Sequence, residues 1–179
     1  MPLLKTTTHT IDDIYALPDG QRAELIDGQI YNMAPPSPLH QELVMELSAS
    51  LRNYIKKKGG NCKVYPAPFA VFIKDDDSVE PDINIVCDSN KISHRGCEGA
   101  PDFIIEIVSP SSRKMDYSTK NTLYTDAGVR EYWIVDPAKE RTTVYRYEED
   151  VAPVIIPFHD TLKLKIYEDF EICIDDLLK

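Results

Sequence analysis

The sequence predicts a mixed α/β fold: one mixed β-sheet flanked by two helices, with a hairpin before it and further strands after it. Three observations carry this. Apolar runs of strand length recur at Asp82 to Cys87, Phe103 to Val108 and Glu131 to Asp136. Two segments of helical period separate and precede them, at Leu39 to Ile55 and Asp116 to Ala127. No repeat, low-complexity tract or linker interrupts the 179 residues, so residues 1–179 are read as one domain with a core of its own.

Thr10 suits the N-cap of a short helix, Ile11 to Leu17, which Pro18-Asp19-Gly20 ends. Ala23-Glu24-Leu25-Ile26 and Gln29 to Met33 flank Asp27-Gly28, a strong hairpin signal. Ser37 can cap the next helix with Pro38 at its first position. Leu39, Leu43, Leu47, Leu51 and Ile55 form its apolar stripe, and Lys56 to Lys58 suit its C-terminus before Gly59-Gly60. Strands are expected at Cys62 to Tyr65, Phe69 to Ile73 and Asp82 to Cys87, with Asp75-Asp76-Asp77-Ser78 as an exposed turn. Phe103 to Val108 is almost wholly apolar, as expected of a strand covered on both faces. Gly128 closes the second helix as a left-handed cap. Glu131 to Asp136 and Arg141 to Tyr147 read as a hairpin, followed by strands at Val154 to Phe158, Lys163 to Tyr167 and Phe170 to Ile174.

Composition bounds the function. Hydrophobic residues make up 42% and charged residues 28%, a globular balance. No apolar run approaches the ~20 residues of a membrane span, and Met1 to Lys5 with the threonines after it lack a secretory core, so a cytoplasmic protein is expected. Cys62, Cys87, Cys97 and Cys173 form no CxxC or zinc spacing and are expected to be free thiols, Cys87 and Cys173 in the core. A net charge of −10 argues against constitutive non-specific nucleic-acid binding. It leaves a nuclease open, because a metal and a local basic patch can dominate one face. There is no GxSxG elbow and no GxxxxGK[ST] phosphate loop.

Two acids stand where apolar strands would not choose them. Asp82 opens Ile83-Asn84-Ile85-Val86-Cys87, and Glu106 interrupts Phe103 to Val108. A buried ionised carboxylate is costly unless it is paired or binds a metal. Lys120, on the following helix, can supply a positive partner, and it shares a face with Tyr124 and Ala127. Asp102 lies on the face of Glu106 by period two and is read mainly as the acid that opens its strand, with a ligand role open. His40 sits in the first turn of the long helix, as a capping or core histidine or at the edge of the site.

The segments ELIDGQIY, PPSPLHQELV, EPD, GAPDFIIEIVSPSS, DYSTK and AGVREYWIVDP together resemble the Uma-two family of restriction-endonuclease-like proteins, within the PD-(D/E)XK nuclease superfamily. The resemblance covers roughly Glu24 to Tyr147. It implies a restriction-endonuclease-like mixed sheet and hydrolysis of DNA phosphodiester bonds with Mg²⁺ or Mn²⁺. It also implies Asp82 and Glu106 as metal ligands, with the Ile107 carbonyl as a third. The superfamily places a lysine two residues after the second acid, where this chain has Val108. In some relatives that lysine moves to the following helix, and Lys120 occupies that place. Two-fold pairing into a homodimer is expected of a nuclease that cuts both strands. The alternative is a non-catalytic binding or assembly protein that keeps the fold.

Overall fold

The computed structural model describes residues 8–74 and 77–179. Among the described residues four helices, α1 (Ile11–Tyr15), α2 (Pro38–Lys58), α3 (Lys120–Ala127) and α4 (Ile174–Leu177), accompany thirteen strands. The strands are β1 (Ala23–Ile26), β2 (Gln29–Asn32), β3 (Lys63–Pro66), β4 (Val71–Lys74), β5 (Asp77–Val79), β6 (Ile83–Val86) and β7 (Cys97–Glu98). After them come β8 (Phe103–Ile107), β9 (Glu131–Asp136), β10 (Arg141–Arg146), β11 (Val154–Pro157), β12 (Leu162–Leu164) and β13 (Tyr167–Ile172).

The central sheet runs β11-β10-β9-β8-β6-β3, with β8 and β9 parallel and the other neighbours antiparallel. Parallel neighbours need a crossover, and α3 lies on it. A second sheet, β2-β1-β5-β4-β7, grows from the N-terminal hairpin, and β12-β13 form a separate pair. Side chains of β8 alternate between two apolar layers. Phe103, Ile105 and Ile107 pack with Leu43, Leu47 and Leu51 of α2 and with Phe170 and Ile172 of β13. Ile104 and Val108 pack on the other side with Leu123 and Tyr124 of α3 and Ile26, Val71 and Val79 of the second sheet. Glu106 therefore belongs by period to the layer under α3.

Most elements lie where the sequence places them. Ser37 Oγ accepts from the His40 amide at 3.2 Å, Pro38 opens α2, and Gly59 closes it at φ 68°. Leu39 is the exception in the stripe, lying exposed one turn before the helix reaches the sheet. Helix α1 stops at Tyr15, short of Leu17. The Lys163 to Tyr167 strand is corrected: β12 ends at Leu164 and β13 begins at Tyr167, so the two form a hairpin. Strand β13 ends at Ile172, and α4 takes up Ile174.

Three further corrections bear on the site. The helix expected from Asp116 begins only at Lys120; Met115–Thr119 form a π-turn instead, with the Lys120 amide bonded back to the Met115 carbonyl. The buried Tyr132 hydroxyl donates to the Asp116 carbonyl at 3.1 Å, which competes with the regular helical ladder there. The exposed turn expected at 75–78 is also corrected. Asp77 and Ser78 are buried in β5, where Asp77 Oδ1 accepts from the Asp27 amide at 2.8 Å and holds the hairpin turn. Asp75 and Asp76, like Met1 to Lys5 and the two threonines after it, lie outside the described residues. Finally, Cys62 and Cys87 are not free thiols but a disulfide. The register Lys63↔Val86 of β3 and β6, extended by one pair, sets them face to face. Cys97 and Cys173 are free. No helix among the described residues is long and apolar enough to cross a membrane.

Candidate active site

The register of β6 against β8 brings the two acids together. Ile83 pairs with Ile105 and Asn84 with Ile104, so Asp82, one step out, stands opposite Glu106. Asp82 Oδ2 accepts from the Ile107 amide at 2.7 Å. It lies 3.2 Å from His40 Nε2, which the first turn of α2 delivers. Asp82 therefore meets the amide side of Ile107 and an imidazole, and its oxygens are not bonded to Lys120.

Glu106 and Lys120 meet directly. Lys120 Nζ donates to Glu106 Oε1 at 2.8 Å, and the Tyr124 hydroxyl, one helical turn on, donates to the same oxygen at 2.7 Å. Two further acids surround the ammonium: Glu24 Oε1 of β1 at 2.9 Å and Asp116 Oδ1 of the π-turn at 3.9 Å. Glu24 Oε1 also accepts from the Glu80 amide at 3.0 Å, and Ser112 Oγ donates to Asp116 Oδ2 at 2.7 Å. Glu24, Glu106, Asp116 and Lys120 are each at most 5% exposed. Sequence reasoning missed Glu24 and Asp116, and placed Tyr124 beside Lys120 without giving it a role. Asp102 lies elsewhere: its Oδ2 accepts from the Cys87 amide at 2.8 Å and Oδ1 is 3.6 Å from Arg130.

The electrostatics follow from burial. Desolvation pushes the Glu106 carboxyl well above the ordinary glutamate range; Lys120 opposes that, while Asp116, Asp82 and Glu24 reinforce it. Burial disfavours the Lys120 ammonium, but Glu106, Glu24 and Asp116 overcome this and hold it charged. Burial raises Asp116 to about 6, against the pull of Lys120 and Ser112. For His40 burial works downward, and the Asp82 carboxylate, aided by Asp116 and the Ile107 backbone, carries the imidazole above its ordinary value. Glu24, Asp82, Glu106 and Asp116 thus crowd one lysine and one histidine, and Asp116 Oδ1 is buried without a hydrogen-bond partner.

This donor set fits a hard divalent cation by its chemistry. Asp82, Glu106 and a strand carbonyl offer oxygen ligands, and the carboxylate excess favours added positive charge. Among the described residues no three His, Cys, Asp or Glu side chains converge as a finished cage. Mg²⁺ commonly needs none, since waters and substrate phosphates complete its octahedron around one or two carboxylates.

The chain matches the family described as "Putative restriction endonuclease" (Uma2) over residues 11–175. An uncharacterised protein of Synechocystis sp., slr1290, is 26% identical over 149 residues, which span 81% of this chain and 77% of that protein. A crystal structure from Anabaena variabilis, titled as a putative nuclease belonging to DUF820, superimposes with a TM-score of 0.78 at 20% identity. That superposition covers 94% of this chain and 96% of the other. At such identity it speaks for the fold, which is the restriction-endonuclease-like one that the family resemblance implied.

Proposed function

The chain belongs to the Uma2 family of restriction-endonuclease-like proteins, and from that premise we propose that it is a nuclease hydrolysing DNA phosphodiester bonds with Mg²⁺ or Mn²⁺. The observation that carries the reading is the register that sets Asp82 opposite Glu106, with Lys120 bonded to Glu106, inside a buried excess of carboxylates. Asp82, Glu106 and the Ile107 carbonyl would hold the cation, which when bound would lower the pKa of a water and neutralise charge on the phosphate. Lys120 fixes Glu106 by direct contact and places a permanent positive charge at the site. Tyr124 holds the same oxygen, and Glu24 holds the ammonium from the other side. His40 anchors Asp82 and lines the less buried side of the site. A homodimer, which would offer one site to each strand, belongs to this reading.

Nicking of supercoiled plasmid in Mg²⁺ or Mn²⁺ tests it. Asp82→Asn and Glu106→Gln are expected to lower the rate by about 100-fold or more. Lys120→Ala should abolish nicking too, but it strips the counter-charge from buried acids and costs about 3–5 kcal/mol of stability. The two isosteric acid variants are therefore decisive. Equal nicking by wild type and both of them would assign the activity to a contaminant.

One observation favours a second reading, a binding or assembly protein without catalysis. Glu106 and Lys120 are almost wholly buried and already satisfy one another. Such a protein would take up no cation at Glu106.

A further inference from the structure

A pocket of about 580 Å³ opens on the segment that follows β8 and on the β9–β10 turn. Its size is that of a ligand cleft, roughly 300–1,000 Å³. Arg113, Lys114, Lys139 and Arg141 line it together with Ser111 and Tyr117, and no acid does. The chain has only 20 lysines and arginines against 30 acids, so four cations around one hollow stand against its overall balance. Arg113 is held by Asp136, with Nη2 at 2.9 Å from Oδ1. Among the described residues Lys114, Lys139 and Arg141 form no ion pair. Arg141 Nε and the Tyr117 hydroxyl are buried without hydrogen-bond partners. Buried donors left unpaired are costly unless a ligand meets them.

The pocket is coupled to the site by one turn of chain. The π-turn carries Asp116 inward towards Lys120 and the next residue, Tyr117, into the pocket wall. Ser112, next to Ser111 of the pocket, donates to Asp116. A second basic hollow, around Lys163 and Lys165, differs in kind: Lys163 pairs with Glu171 at 2.7 Å and Lys165 with Glu149 at 3.0 Å.

We propose that the first pocket is a backbone subsite for DNA, in which Lys114, Lys139 and Arg141 contact phosphates flanking the bond to be cut. The inference rests on the nuclease reading for its substrate, and it gives an acidic chain its means of holding a polyanion. The carboxylates of the metal site repel phosphate, and the pocket supplies the opposing attraction a few residues away.

The test is fluorescence anisotropy of a labelled DNA duplex with the full chain in EDTA, where binding is separated from cleavage. Each phosphate contact contributes about 0.9 to the slope of log affinity against log salt. Lys114→Gln/Lys139→Gln should therefore lower the slope by about 1.8 between about 50 and 200 mM salt, and weaken binding about ten-fold or more. Lys163→Gln/Lys165→Gln should change neither quantity. Competition by inorganic phosphate alone should be weak; displacement at equal phosphate concentration would mark a small-anion pocket and overturn the proposal. So would an unchanged slope in the pocket variant, or no duplex binding by wild type. If wild type binds through the pocket but does not nick plasmid, the nuclease reading fails and the pocket stands. If wild type nicks and the slope is unmoved, the pocket alone falls.

Discussion

Asp116 shows what the site costs the fold. Asp116 is 1% exposed, one of its carboxyl oxygens has no hydrogen-bond partner, and burial raises it from 3.8 to about 6. A folded-state value above the unfolded one means a contribution to stability that is complete below about 3.8 and lost as pH climbs through about 6. At about 1.36 kcal/mol per unit the loss is on the order of 3 kcal/mol. Asp116→Asn cannot ionise and should escape it. The unfolding free energy of the variant minus that of wild type should rise by about 2–3 kcal/mol between about pH 4 and pH 7, read from urea titrations. A difference flat with pH would contradict the assignment. The same residue shows where sequence reading stops. Asp82 and Glu106 stand out because apolar strands do not tolerate free acids, and Lys120 because the family resemblance places the displaced lysine there. Glu24 carries the same mark, between Ala23 and Leu25, but a four-residue hairpin strand is too short to show which face is buried. Asp116 looks like an ordinary first-turn acid, because a π-turn leaves no trace in the periodicity.

At the scale of elements, legibility follows length and chemistry. Helix α2 declares itself through Ser37, Pro38, its leucine stripe and Gly59. Strands β5 and β7, of three and two residues, are too short to show a period. The Cys62–Cys87 disulfide depends on the β3–β6 register, which no local signal reports. Strand β7 is held to β4 by a close backbone approach: the Cys97 amide donates to the Ala70 carbonyl at 2.9 Å. Gly96, at φ +149°, makes it possible, since a Cβ there would lie 2.1 Å from the same carbonyl oxygen. Gly59 has a positive φ but open space around it. Gly59→Ala should therefore cost about 1–2 kcal/mol, the left-handed penalty alone. Gly96→Ala should cost clearly more, because backbone must move. Urea midpoints at equal slopes check the order, and equal losses would contradict it.

For the whole molecule, the net charge of −10 describes no face of it in particular. Acids concentrate where β1, β6, β8 and the π-turn converge, and unpaired cations gather one turn of chain away. That division would suit the proposed nuclease, which would hold both a cation and a polyanion. The central claim is that Asp82 and Glu106 share a cation, and calorimetric titration of the metal-free full chain with Mn²⁺ tests it most directly. Wild type should show saturable uptake, weakened by about 100-fold or more in both Asp82→Asn and Glu106→Gln. Asp102→Asn, whose carboxylate serves the Cys87 amide and Arg130, should bind as wild type does. No saturable uptake by wild type, or isotherms that all four proteins share, would contradict the account.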